Sequence, residues 1–116
     1  MNVKEFYKNT GSNYEAALSI MMNDMLIERM LGKFMENNAF NSIIEAYEAK
    51  DIKAIFALAH TYKGVTGNLA LTRLYEISSV LTEATRNNEN ANVNKEIEEL
   101  KEAYNLIKTE YEKSLA

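Results

Sequence analysis

Ala57-Leu58-Ala59-His60-Thr61-Tyr62-Lys63-Gly64-Val65-Thr66-Gly67-Asn68-Leu69 contains the only histidine in a chain of 116 residues, and two of the four glycines follow that histidine at i+4 and i+7. On a wheel of about 100° per residue centred on Tyr62, Ile55, Leu58, Ala59, Val65, Thr66 and Leu69 all lie within about 60° of the centre. That broad apolar face reads as an amphipathic helix, although a glycine in a helix interior costs about 1 kcal/mol against alanine. His60 lies about 160° from the centre, on the outer face, with Lys53, Ala57, Gly64, Gly67 and Leu71 around it and Phe56 and Lys63 at one flank. Small residues at i−3, i+4 and i+7 leave the ring unshielded. Both glycines also sit on the wrong face for helix–helix packing, so both are expected to clear space around His60.

The same periodicity extends outward in both directions. Asp51 is the expected N-cap of the His60 helix, its charge at the positive end of the dipole. Upstream, residues 1–11 read as a short helical or irregular lead-in. Ser12-x-x-Glu15 has the pattern of a capping box before a short helix from about Asn13 to Met21. Asn23-Asp24 offers a further cap. Leu26, Ile27, Met30, Leu31, Phe34 and Met35, then Phe40, Ile43, Ile44 and Tyr47, form one helical stripe, predicting a long helix from Asp24 to about Lys50, bent at Asn37-Asn38. Downstream, Leu74, Ile77, Leu81 and Ala84 predict a helix from about Thr72, and residues 86–92 are a polar, asparagine-rich loop. Val93, Ile97, Leu100, Tyr104, Ile107 and Tyr111 alternate spacings of four and three, a bundle seam. The prediction is an all-α chain, an antiparallel up-down four-helix bundle with a short extra N-terminal helix, forming one domain over residues 1–116. Met30 and Met35 fall in a stripe and read as core filling, and the acidic run from Glu96 to Glu102 as a solvated face.

Composition narrows the chemistry. The chain has no proline and no cysteine, with 47% hydrophobic and 26% charged residues and a formal charge of −4. Absent cysteine excludes disulfides and thiolate chemistry and suits a reducing compartment, so a cytoplasmic protein is expected. No basic stripe exists to collect phosphates, which argues against nucleic acid as partner. No run approaches the roughly 18–20 apolar residues of a membrane span, so no membrane insertion is expected. One histidine without cysteine poorly supports a metal or haem site, and neither a metal nor another cofactor is expected. The Glu-x-x-His of a di-iron bundle is missing, since Ala57 holds the glutamate position. There is no nucleophile elbow and no phosphate-cradling glycine loop, so the chain is not expected to bind ATP. An exposed imidazole with a lysine at i+3 can instead carry a phosphoryl group, its anion flanked by a cation.

His60-Thr61-Tyr62-Lys63-Gly64-Val65-Thr66-Gly67-Asn68 resembles the signature of histidine-containing phosphotransfer (Hpt) domains, roughly His-x-aliphatic-Lys-Gly, a small residue or glycine three further on, then a hydrophobic residue and often another glycine. The likeness runs back through Asp51 to Ala59 and forward through Leu74, Ile77 and Leu81, and Ala17-Leu18 and Leu26 to Glu36 resemble the family's opening. It spans about residues 13–86. The last helix matches only in being amphipathic. The resemblance implies a phosphorelay intermediate. His60 would accept a phosphoryl group from the aspartyl phosphate of one receiver domain and return it to another. Lys63 would screen the phosphoryl charge, and Phe56, Ala57, Gly64, Gly67, Asn68 and Leu71 would form the docking patch. The implied partners are response-regulator receiver domains and a hybrid sensor histidine kinase, with any magnesium belonging to the receiver and no kinase activity in this chain. Three positions depart from the pattern. Tyr62 replaces the commoner leucine or isoleucine, placing a hydroxyl in the core that would reach a polar partner at the bundle end. Ala70 stands where the family often has its last glycine. Thr82, with Glu83 beside it, falls where many members have a Glu or Gln that holds the inner ring nitrogen of the histidine. The alternative from another class is a helical adaptor in which His60 is never phosphorylated.

Overall fold

Asparagine caps start three of the helices. In the computed structural model, which describes residues 2–115, the chain forms α1 (Val3–Asn9), α2 (Tyr14–Met21), α3 (Asp24–Glu36), α4 (Ala39–Glu48), α5 (Ile52–Asn68), α6 (Thr72–Thr85) and α7 (Asn94–Ser114). Asn2, Asn13 and Asn23 each accept a hydrogen bond from the backbone N–H three residues on, satisfying a donor that the first helical turn leaves without a partner. The cap of α2 is therefore Asn13, one residue beyond the expected Ser12, whose hydroxyl instead accepts from Thr10.

The long helix expected from Asp24 to Lys50 is two. At Asn37 the backbone is extended, with φ −72° and ψ 145°, and its side-chain oxygen accepts from the N–H of Ala39 at 2.6 Å. An asparagine side chain that competes this way for a nearby N–H stops a helix and restarts it in a new direction. The apolar stripe continues across the break because both helices bury it: Ile27, Leu31 and Phe34 from α3, Ile43 and Ala46 from α4.

The helices pack as an all-helical bundle. The most extensive contact is between α5 and α6; α4 packs on α5, α6 on α7, and α7 returns to α4. Its centre is made by fully buried Ile27, Leu31, Ile43, Ile55, Tyr62, Leu74, Leu81, Ile97 and Leu100. The lead-in is no loose arm. Phe6 and Tyr7 of α1 have no exposed surface, and α1 meets α2, α3 and α7. The Tyr7 hydroxyl donates to the carbonyl of Leu69 at 2.7 Å, and the N–H of Asn13 donates to that of Ala70 at 3.0 Å. The N-terminal segment thus satisfies carbonyls at the C-terminal end of α5 and fixes that end of the helix.

Candidate functional site

Helix α5 begins where the sequence expects it, with the Asp51 side chain accepting from the N–H of Ala54 at 3.1 Å. It ends one turn past Gly64 in a Schellman motif: Ala70 N–H donates to Gly67 C=O and Leu71 N–H to Thr66 C=O. Ala70 holds φ +53°, a left-handed conformation that alanine adopts less readily than the family's usual glycine. Beyond that turn the α5 wheel no longer applies. Leu71, expected in the docking patch, caps α6 with its side chain fully buried, so it offers nothing to a partner.

Within α5 the buried line is Ile55, Ala59, Tyr62 and Thr66, and His60, Ala57 and Gly64 are exposed. Two contacts set the register of α6 alongside: Tyr75 lies against Gly67, and Arg86 lies over Phe56. The helices run antiparallel, which brings residues 82–83 level with His60. The glycines differ. Beyond the helix's own backbone, a Cβ at Gly64 would meet nothing within 4 Å among the described residues, whereas one at Gly67 would stand 3.1 Å from two ring carbons of Tyr75. Gly64 is open; Gly67 is half-buried and seats an aromatic side chain of the neighbouring helix. The expectation that both glycines clear space for His60 is corrected at Gly67, because the wheel of one helix cannot register a side chain arriving from another.

The His60 ring meets Phe56 edge-on, with centroids 6.1 Å apart and planes at 82°. The Arg86 guanidinium carbon lies 4.9 Å from the Phe56 centroid, within cation–π range. Arg86 also grips Glu83 with two hydrogen bonds, Nε to Oε2 at 3.2 Å and a terminal nitrogen to Oε1 at 3.1 Å. Glu83 is held below the usual carboxylate range, chiefly by the Arg86 hydrogen bond and charge, with Lys63 and His60 adding to the same effect. Its carboxylate therefore sits in the field of both residues singled out on α5. Half-buried Lys63 lies one turn from His60.

Thr82 is level with His60 but faces the other way. It is 1% exposed, and its hydroxyl donates to Ser78 C=O at 2.7 Å, one of three buried hydroxyls on α6 that bond back to their own helix, with Ser78 and Thr85. No hydrogen bond joins Thr82 or Glu83 to His60 among the described residues: the first is turned into the core, and the carboxylate of the second is taken by Arg86. Asn68 is exposed but lines a cavity of about 280 Å³ bordered by α3, α4, α5 and α7, together with Phe34, Phe40, Tyr62 and Tyr104. Tyr62 is 2% exposed and stacks on Phe34 at 5.6 Å, yet its hydroxyl has no hydrogen-bond partner among the described residues, against the expectation of one at the bundle end. Burial raises its pKa well above the ordinary phenol value.

Arg86 and Tyr75 are two residues of this surface that no pattern within α5 points to. By sequence Arg86 opens the asparagine-rich loop. The available signal was its i+3 spacing from Glu83, together with the helical line 75, 79, 83, 86 along α6.

An exposed histidine in mid-helix, a lysine one turn on and an open glycine thus lie together on the outer face of α5. A family sequence model described as Hpt domain matches residues 27–110. The chain belongs to the Hpt domain family. Hpt domains are phosphocarriers rather than enzymes, and membership gives this chain a part in phosphotransfer within two-component signalling. The matched span starts inside α3 and takes in most of α7, so the Hpt likeness reaches further toward the C-terminus than the stretch ending at residue 86. No curated protein and no solved structure matches the chain. No helix among the described residues is long and apolar enough to cross a membrane.

Proposed function

We propose that this Hpt domain is a cytoplasmic phosphorelay intermediate, built as one domain in which α3–α4, α5, α6 and α7 make an antiparallel four-helix bundle. His60 takes a phosphoryl group from the aspartyl phosphate of one receiver domain and hands it to a second. The outward ring nitrogen attacks phosphorus, the N–P bond forms as the acyl O–P bond breaks, and the aspartate leaves as carboxylate. Transfer onward runs the same exchange in reverse. The observation that carries this reading is the exposed His60 ring beside the empty space over Gly64, which lets a receiver's acidic pocket approach the helix closely. Lys63 places a positive charge one turn from the phosphoryl group, where it offsets part of the added negative charge. Phe56 and Ala57 supply the adjoining docking contacts, and a hybrid sensor histidine kinase stands upstream. The chain itself contributes neither an ATP site nor a cofactor to this chemistry.

The test is incubation with phosphorylated receiver domains, following acid-labile, base-stable label on the chain. Label is expected on the native protein and is abolished in His60→Gln. Label that persists in His60→Gln would move the site elsewhere. No label from any receiver, with binding unchanged in His60→Gln, would instead make the chain an adaptor.

A further inference from the structure

Arg86 is a cation held one aromatic ring away from His60. Phe56 touches both: the histidine ring stands edge-on to it, and the guanidinium lies against it. The two side chains come from different helices, α5 and the C-terminal end of α6. Arg86 caps α6 in an extended conformation, so its backbone is anchored while its side chain reaches back over the face that carries His60. One edge of its guanidinium, Nε with a terminal nitrogen, is engaged by both carboxylate oxygens of Glu83, the bidentate geometry in which guanidinium pairs with carboxylate and equally with phosphate. Neither side chain is locked in place, since 47% of Arg86 and 62% of Glu83 remain exposed. A pair so wet contributes little to stability, which leaves its position beside the phospho-acceptor to be explained.

We infer that Glu83 is an internal stand-in for the phosphoryl group, and that the Glu83–Arg86 pair sets how long phosphohistidine survives at His60. In the resting protein the carboxylate occupies the guanidinium fork. When His60 carries the phosphoryl group, two anions compete for Arg86 and Lys63 on one small surface. Arg86 turning toward the phosphoryl oxygens lengthens its stay. Glu83, which already feels the charges of Lys63 and His60, repels the new anion and shortens it. The balance makes phosphohistidine stable enough to form and costly enough to be passed on. This inference rests on the proposed phosphorylation of His60 but adds two residues of opposite effect on its lifetime and on the transfer equilibrium.

The experiment measures phosphohistidine lifetime and the equilibrium with one receiver in the full chain, for native protein, Glu83→Gln, Arg86→Ala and the double variant. Exposed charges a few ångströms apart, screened by salt, shift such equilibria by about two- to fivefold. Glu83→Gln is expected to lengthen the lifetime by that factor and to draw the equilibrium toward His60. Arg86→Ala is expected to shorten it similarly, and Arg86→Lys to restore part of the loss. The double variant is expected to deviate from the product of the single effects, because each side chain acts partly through the other. The ¹⁵Nε resonance of Arg86 should move on phosphorylation of native protein and move less in Glu83→Gln, whose neutral amide already holds the guanidinium only weakly; a purely structural pair would not give that pattern. Normal phosphorylation with unchanged lifetimes in both single variants, or a shorter lifetime in Glu83→Gln, overturns this inference alone. Absence of phosphohistidine in the native protein overturns the proposed function, and this inference with it.

Discussion

The middle of α5 and its C-terminal end are three residues apart and follow opposite rules. At Gly64 the helix surface is bare, with no atom of another element among the described residues close enough to touch an added methyl group. At Gly67 the ring of Tyr75 is already in place, and just beyond it Ala70, Leu71 and the carbonyl of Leu69 are enclosed by α6 and the N-terminal segment. The same residue type serves access in one case and packing in the other. The packed end steadies the bare one: a helix left uncovered in its middle has to be held elsewhere, and the hydrogen bond from Tyr7 to Leu69 and the contact of Tyr75 do that holding.

The sharpest way to break this comparison is at the packed end. Tyr7→Ala removes a fully buried ring and the bond to Leu69, and should destabilise the protein by about 3–5 kcal/mol in urea denaturation. A loss under about 1 kcal/mol would mean that α1 does not brace α5. The glycines themselves give a smaller, signed test. Gly64→Ala gains helix propensity against no contact and should stabilise by about 0.5–1 kcal/mol, while slowing phosphotransfer because the space beside His60 is partly filled. Gly67→Ala should fall short of that gain, since Tyr75 must shift, and Tyr75→Ala in the same background should return it; equal effects at the two glycines would erase the distinction. The smallest effect belongs to Ala70. Replacing it by glycine relieves a left-handed alanine and should add about 1 kcal/mol or less without changing transfer from His60.

Much of this is legible in the sequence alone. Helix starts at Asn23 and Asp51 follow from side chains that cap their own next turn, and the outward direction of His60 follows from a wheel that needs only residues within one helix. The misreadings have a common cause. A wheel places Leu71 on the outer face only if α5 continues, and α5 ends before the left-handed Ala70. Thr82 was placed at the correct level, but its side chain turns to the core and bonds to Ser78. The single helix from Asp24 to Lys50 broke where one asparagine side chain captured Ala39 N–H, a competition that an apolar stripe does not record.

The sequence by itself determined the helical class, most helix boundaries, the Hpt signature and the exposure of His60, because each depends on interactions spanning four residues or fewer. Only the tertiary structure decided which glycine is open, that Tyr75 fills the other, and that Arg86 and Glu83 stand beside Phe56 and His60. Those facts depend on the register of α5 against α6. That register is set by the whole core, from Phe6 and Tyr7 at one end of the chain to Ile97 and Leu100 near the other, and no local pattern carries it.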